Sequence, residues 1–235
     1  MTASGQPPAA PSEEAGAPDI ATDRTAGEDE RFQVVESREV YRGRVITLRV
    51  DRVQMPDGRV AVREVVEHPG AVAVVALDEA DRVVLIRQYR HPTRGYLLEL
   101  PAGLLDVSGE PAADTARREL FEEAALRAAT WHTLIDLRTS PGMSDEAVRV
   151  FLARDLAEVP EPERYAGQDE ETDLGPHRVP LDEAVRAALD GRVENSIAVA
   201  GLLAAAYVRD GGWARLRPAD APWPARPARP SRPGR

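Results

Sequence analysis

Three glutamates, Glu119, Glu122 and Glu123, fall within five consecutive residues of the stretch "RRELFEEAAL" (117–126). On a helix turning about 100° per residue, Glu119 and Glu123 lie about 40° apart, and Glu122 lies about 60° from Glu119 on its other side. All three carboxylates therefore project from one face. Like charges at this spacing cost an isolated helix about 0.2–0.5 kcal/mol per pair. Ala112, Ala116, Leu120 and Ala124 repeat at helical spacing behind them, so the helix has an apolar face to dock and the acids have a fixed place. Hard divalent cations take several carboxylate oxygens, and an open array suits an ion that bridges to phosphate oxygens better than a closed structural cage. Taken alone, the helix is equally readable as a solvated acidic face, because 30% of the chain is charged and charge patterns are weak signals.

Strand-like sequence precedes this helix. Residues 38–90 alternate Val and Leu with Arg and Asp, interrupted by turn residues at "PDG" (56–58) and "DEAD" (78–81). "AVAVVAL" (71–77) and "VVLI" (83–86) are unbroken apolar runs, suited to strands covered on both faces. After the helix, "WHTLIDL" (131–137) and "AVRVFLARDL" (147–156) predict two more strands, and the acidic, Pro-bearing stretch 158–173 predicts a loop. "LDEAVRAALDGR" and "SIAVAGLLAAAYVRD" predict helices, the first stopping near Gly191. This order predicts a mixed sheet with helices packed on it. Residues 1–30 carry little to bury and predict a disordered arm, and 217–235 repeats Pro and Arg in the manner of a solvated tail.

The composition narrows the function. A chain of 235 residues suffices for one sizeable domain or two small ones, and a net charge of −10 argues against a nucleic-acid binder. Every basic residue is Arg, as a GC-rich genome would produce. With no Cys there are no disulfides, thiolate metal sites or Cys nucleophiles. No apolar stretch of about 18 residues predicts a membrane span, and no basic-then-apolar leader opens the chain, so a cytoplasmic protein is expected. His91, His132 and His177 lack ligand spacing, and His68 before "PG" reads as a turn residue. Ser140 and Ser144 lack a neighbouring His base, and no G-x-x-x-x-G-K-[ST] loop is present.

From Gly103 the register runs through six residues to Glu110, then seven to Arg118-Glu119-Leu120, Glu122-Glu123 and Ala125-Leu126. This resembles the Nudix box, G-x5-E-x7-R-E-U-x-E-E-x-G-U with U a bulky aliphatic residue. The segment before Glu110 is one residue longer than the pattern, and Ala125 stands at its second glycine. Either the helix ends differently there or Ala125 accepts a modest strain. "REVVEHPGAVAVV", "QYRHP", "LELPAG" and "SPGMSDEAVRVF", with Pro141 standing 15 positions past Leu126, look like the ADP-ribose pyrophosphatase branch of that family, over about 32–210.

That resemblance implies an α/β/α sandwich with a mixed sheet, preceded by an N-terminal antiparallel strand region. It divides the chain into an arm (1–30), a dimer-forming strand region (31–66), the hydrolase domain (67–212) and a Pro/Arg-rich tail (213–235). It implies a homodimer hydrolysing the diphosphate of ADP-ribose, a nucleoside-diphosphate sugar, to AMP and ribose 5-phosphate with Mg²⁺ or Mn²⁺. Another nucleoside-diphosphate sugar, a dinucleotide, or a sensor that binds ADP-ribose without cleaving it are the alternatives. By motif position, Glu119, Glu122 and Glu123 and the Ala102 carbonyl would hold metal. Arg118 would brace the glutamates, with Glu122 and Arg118 counted in the catalytic group. Glu146 would be the base or water-orienting carboxylate, on a loop that completes the site as substrate arrives, with Asp145 a rival. Arg63, Arg90 and Glu99 would meet the substrate.

Overall fold

The computed structural model describes residues 32–165 and 175–225. The predicted arm, the second half of the 158–173 loop (166–173) and the last ten residues of the predicted tail lie outside these.

Three antiparallel strands, β1 (Gln33–Arg42), β2 (Thr47–Gln54) and β3 (Val60–Glu67), form a sheet of their own in the order β1-β2-β3. Gly58 takes a positive φ of 82° in the turn between β2 and β3, which glycine allows without strain. Every residue of β1 is exposed. Next come β4 (Ala71–Ala76) and β5 (Arg82–Arg90). Asp78 shapes the turn between them by accepting the Ala80 and Arg82 N–H groups at 3.0 and 2.9 Å. Every residue of β4 is buried, as are Val83 to Ile86 of β5. This is the two-sided cover that the unbroken apolar runs predict.

β6 (Gly95–Glu99), β7 (Ala102–Leu104), α1 (Ala112–Ala124), β8 (Leu126–Arg138), β9 (Ala147–Glu158), β10 (His177–Pro180), α2 (Leu181–Leu189), α3 (Ser196–Asp210) and β11 (Arg217–Pro218) complete the chain. The main sheet runs β11-β8-β9-β4-β7, and β10-β5-β6 forms a smaller one. β4 and β9 are parallel while their other neighbours are antiparallel, so the sheet is mixed. On one face, Val75, Leu85, Val150 and Leu202 pack in a core with α2 and α3. On the other, Val72, Val74, Leu120 and Phe151 pack with α1. The α/β/α sandwich with its separate N-terminal sheet is the expected architecture.

Two boundaries differ from the sequence reading. β8 begins at Leu126, directly after α1, rather than near Trp131. The start of the Pro/Arg-rich tail is also part of the fold. β11 pairs with β8, Trp213 packs on the core beside α3, and Trp223 packs on the core beside α1. The buried Arg149 guanidinium binds Asp136 at 2.7 Å and donates to the carbonyls of Ala221 at 2.6 Å and Pro222 at 3.1 Å. The segment is held by a buried cation that needs its carbonyls, not by apolar periodicity of its own.

Candidate active site

The acidic helix is anchored by Leu120, which is fully buried. Burying a leucine contributes about 2 kcal/mol, more than the like-charge repulsion along α1 costs. Glu119 and Glu123 are buried too, each only 8% exposed, so the face they share is not the solvated one. It is covered by β7. The Glu123 carboxylate accepts the Ala102 N–H at 2.8 Å. Glu119 lies so close to Gly103 that a β-carbon there would sit 2.1 Å from its carboxyl carbon. The box glycine is needed for close approach, not for a special φ.

Arg118 lies among these carboxylates. Its guanidinium donates to Glu119 at 2.6 Å, Glu122 at 3.3 Å and Glu110 at 3.5 Å. Burial works against its charge, but Glu119, then Glu110 and Glu122, outweigh burial and hold its pKa above the usual arginine range. Glu110 also accepts the Thr115 hydroxyl at 2.8 Å. The segment before Glu110 ends in a turn, with Gly109 at φ 80° and the Glu110 N–H donating to Val107. At the far end of α1, Ala125 adopts the left-handed conformation, φ 51° and ψ 42°, with its N–H on the carbonyls of Leu120 and Phe121. The helix closes as a glycine-capped one would, and the alanine bears the strain.

A cleft of about 280 Å³ opens beside β7, lined by His68, Arg90, Glu99, Ala102, Gly103 and Glu146. Arg90 and Glu99 form a bidentate pair across the β5–β6 hairpin at 2.8 and 2.7 Å. Glu99 is almost wholly buried, whereas Arg90 is 41% exposed, so the carboxylate orients the guanidinium and the guanidinium faces outward.

Opposite them stands the 139–146 connection between β8 and β9. Its Glu146 lines the cleft, accepts the Thr139 hydroxyl and lies 3.4 Å from His68 Nδ1. The neighbouring Asp145 accepts the His68 N–H at 2.7 Å and does not line the cleft. The connection is stitched to β3. The Val66 N–H donates to Met143 at 2.8 Å, and the Val66 carbonyl accepts the Asp145 N–H at 3.2 Å and the Ser144 hydroxyl at 3.0 Å.

Arg63 is not brought to this cleft. It is exposed on β3, and its guanidinium donates to the Val62 carbonyl at 2.9 Å. Two polar lining residues escaped the sequence reading as site residues. His68 is more than a turn residue. Asn195 caps α3, accepting the Ile197 and Ala198 N–H groups at 3.0 and 2.9 Å, and borders the cleft. An Asn directly before an apolar helical run is a capping signal that would have found the cap, though not the cleft.

The donor set suits a hard divalent cation. Three glutamates share one helix face, and a glycine at 103 leaves room for a carboxylate where a β-carbon would exclude it. In an antiparallel strand a residue's N–H and C=O leave on the same side. The Ala102 carbonyl therefore shares the edge on which Glu123 is bound. Among the described residues, no three His, Cys, Asp or Glu side chains are gathered tightly enough to hold an ion by themselves. Arg118 instead sits between Glu110, Glu119 and Glu122.

Comparison with known proteins bears on the same elements. The NUDIX domain pattern matches residues 67–199, and the nucleoside diphosphate sugar hydrolase N-terminal domain matches residues 32–66. An ADP-ribose pyrophosphatase of Mycobacterium tuberculosis is 49% identical over 83% of this chain and 93% of its own length. A methanol dehydrogenase activator of Bacillus methanolicus is 36% identical over 70% of this chain and 86% of its own. The crystal structure of an ADP compounds hydrolase superposes with a TM-score of 0.66 at 25% identity, covering 77% of this chain and 96% of the other. With its box in register on α1 and β7 and its N-terminal sheet matched separately, the chain belongs to the Nudix hydrolase family.

Proposed function

We propose that the chain is a cytoplasmic, homodimeric, Mg²⁺- or Mn²⁺-dependent hydrolase that converts ADP-ribose and water to AMP and ribose 5-phosphate. One observation carries this reading: the buried carboxylates of Glu119 and Glu123 pack directly against Gly103 and Ala102, which line the cleft that Glu146 and Arg90 enter. Glu119, Glu122, Glu123 and the Ala102 carbonyl would hold the metal. When bound, a divalent ion neutralises phosphoryl charge and makes a water nucleophilic near neutral pH. The protein's own groups do the rest. Arg90, oriented by Glu99, presents a guanidinium fork to phosphate oxygens. Glu146 accepts the proton of the attacking water or orients that water. Arg118 keeps the glutamates in place until substrate arrives. The substrate is inferred from the relatives named above, because the box suits a diphosphate and leaves the two end groups open.

The N-terminal sheet supports the dimer. Val34 on one face of this sheet and Val60 and Val62 on the other are each about half exposed, apolar side chains that a partner would cover. Arg63, which does not reach its own chain's cleft, would then serve the cleft of a partner subunit.

A panel of ADP-ribose, NADH, ADP-glucose and diadenosine diphosphate, each with Mg²⁺ and with EDTA, tests the assignment. Rapid AMP release from ADP-ribose only when Mg²⁺ is present is expected. Faster cleavage of another compound moves the substrate, and binding without cleavage replaces the hydrolase by a sensor.

A further inference from the structure

The proposed base is held from behind. β8 and β9 pair up to Arg138 and Ala147, so Thr139 and Glu146 face each other where the strands part and the 139–146 connection begins. The Thr139 hydroxyl donates to Oε2 of Glu146. The other oxygen, Oε1, lies 3.4 Å from His68 Nδ1, and His68 and Glu146 both line the cleft. The main chain on either side is fixed as well. The Glu146 N–H donates to the Ser144 hydroxyl at 3.1 Å, and Arg138 holds the Asp145 carbonyl at 2.7 Å. With the backbone pinned, what remains to be set is the rotation of the carboxylate, and Thr139 is the hydroxyl donor placed to set it.

We infer that Thr139 is a positioning residue for the hydrolysis, and that its hydroxyl engages Oε2 of Glu146 so that Oε1 is presented to the cleft. A hydroxyl donating to a carboxylate makes a charge-assisted hydrogen bond, among the stronger side-chain contacts. A glutamate without such a partner spreads over several rotamers, and a general base works only within hydrogen-bond reach of its proton. Nothing in this role touches substrate, so it predicts a loss in turnover rather than in binding. The inference rests on the assignment of Glu146 made above.

Steady-state kinetics of AMP release from ADP-ribose, with Mg²⁺, test it through Thr139→Val, Thr139→Ala and Thr139→Ser, alone and combined with Glu146→Gln. Removing the hydroxyl should lower kcat about tenfold to a hundredfold, as a small misplacement of a catalytic group does, with KM within about twofold. Thr139→Ser, which keeps the donor, should recover most of the lost turnover. In the Glu146→Gln background the loss of the hydroxyl should add almost nothing, because there is no base left to aim. An active wild-type chain whose kcat survives both Thr139→Val and Thr139→Ala overturns the role of Thr139 alone. So does a loss that is undiminished in the Glu146→Gln background, or one that Ser fails to rescue. A wild-type chain inactive on the whole panel overturns the functional assignment and this inference together.

Discussion

Gly103 and Glu119 approach each other so closely that a β-carbon at position 103 would fall 2.1 Å from both the carboxyl carbon and Oε1 of Glu119. The nearest atom is a side chain, so a substitution would displace the carboxylate and not the strand. Gly103→Ala should therefore leave Tm within a few degrees of wild type while lowering kcat/KM by about a hundredfold. Thermal melts and ADP-ribose kinetics on one preparation check this. A variant that keeps full activity would mean that Glu119 has no fixed task.

Glu123 and Glu146 should separate by what they lose. Glu123→Gln keeps an oxygen for the Ala102 N–H, so the fold should persist, but with the charge gone turnover should fall about a hundredfold or more. Raising Mg²⁺ should recover part of it. Glu146→Gln should lower kcat with little change in the Mg²⁺ dependence. Metal titrations of activity distinguish the two, and a shifted Mg²⁺ requirement in Glu146→Gln would make Glu146 a ligand.

Ala125 occupies a backbone conformation, φ 51°, that costs a non-glycine residue about 1–2 kcal/mol. Glycine removes that strain but widens the unfolded ensemble, at a cost of about 0.4–1 kcal/mol. Ala125→Gly should thus gain up to about 1.6 kcal/mol without changing activity. Denaturant unfolding measures it, and a clear destabilisation would show that the cap is not strained.

Acid should loosen the C-terminal segment. Burial favours the neutral form of Asp136, but hydrogen bonds and charge from Arg149 and Arg217 outweigh it and hold the carboxyl below the usual range. A carboxylate depressed in the folded state stabilises above its unfolded pKa, and the contribution disappears as pH falls through the folded value. That stabilisation should be complete near neutrality and decline below about pH 4. Asp136→Asn should be less stable at pH 7 and show a flatter decline in acid. Tm measured from pH 7 to pH 3 tests this, and parallel curves for the two proteins would refute it.

How far the sequence could be read depends on the range over which a feature is encoded. The helix α1, its glutamates and its apolar backing are local, so spacing alone revealed them. The buried runs 71–77 and 83–86 were legible for the same reason. The start of β8 was not, because Ala128, Ala129 and Thr130 offer no alternation of large apolar and polar residues. Arg149 to Ala221 is a contact across 72 residues, and no local pattern in a Pro/Arg stretch announces it. The same holds for His68 against Glu146. Arg90 and Glu99 were named individually, but the β5–β6 register sets Arg90 against Gly95 and Glu99 against Ile86, so only the reach of the arginine side chain makes them a pair.

β3 is one strand with two allegiances, pairing with β2 along its whole length and, at Val66, also holding the Glu146 connection. Swinging that connection away would break four hydrogen bonds, three at Val66 and one at His68. At about 1 kcal/mol each, the open form would hold about one molecule in a thousand. The 139–146 segment thus behaves less as a lid than as a pawl set against a stiff lever. Glu146 already stands in the cleft with the segment closed, and whatever grips the outer sheet has its hand on that lever.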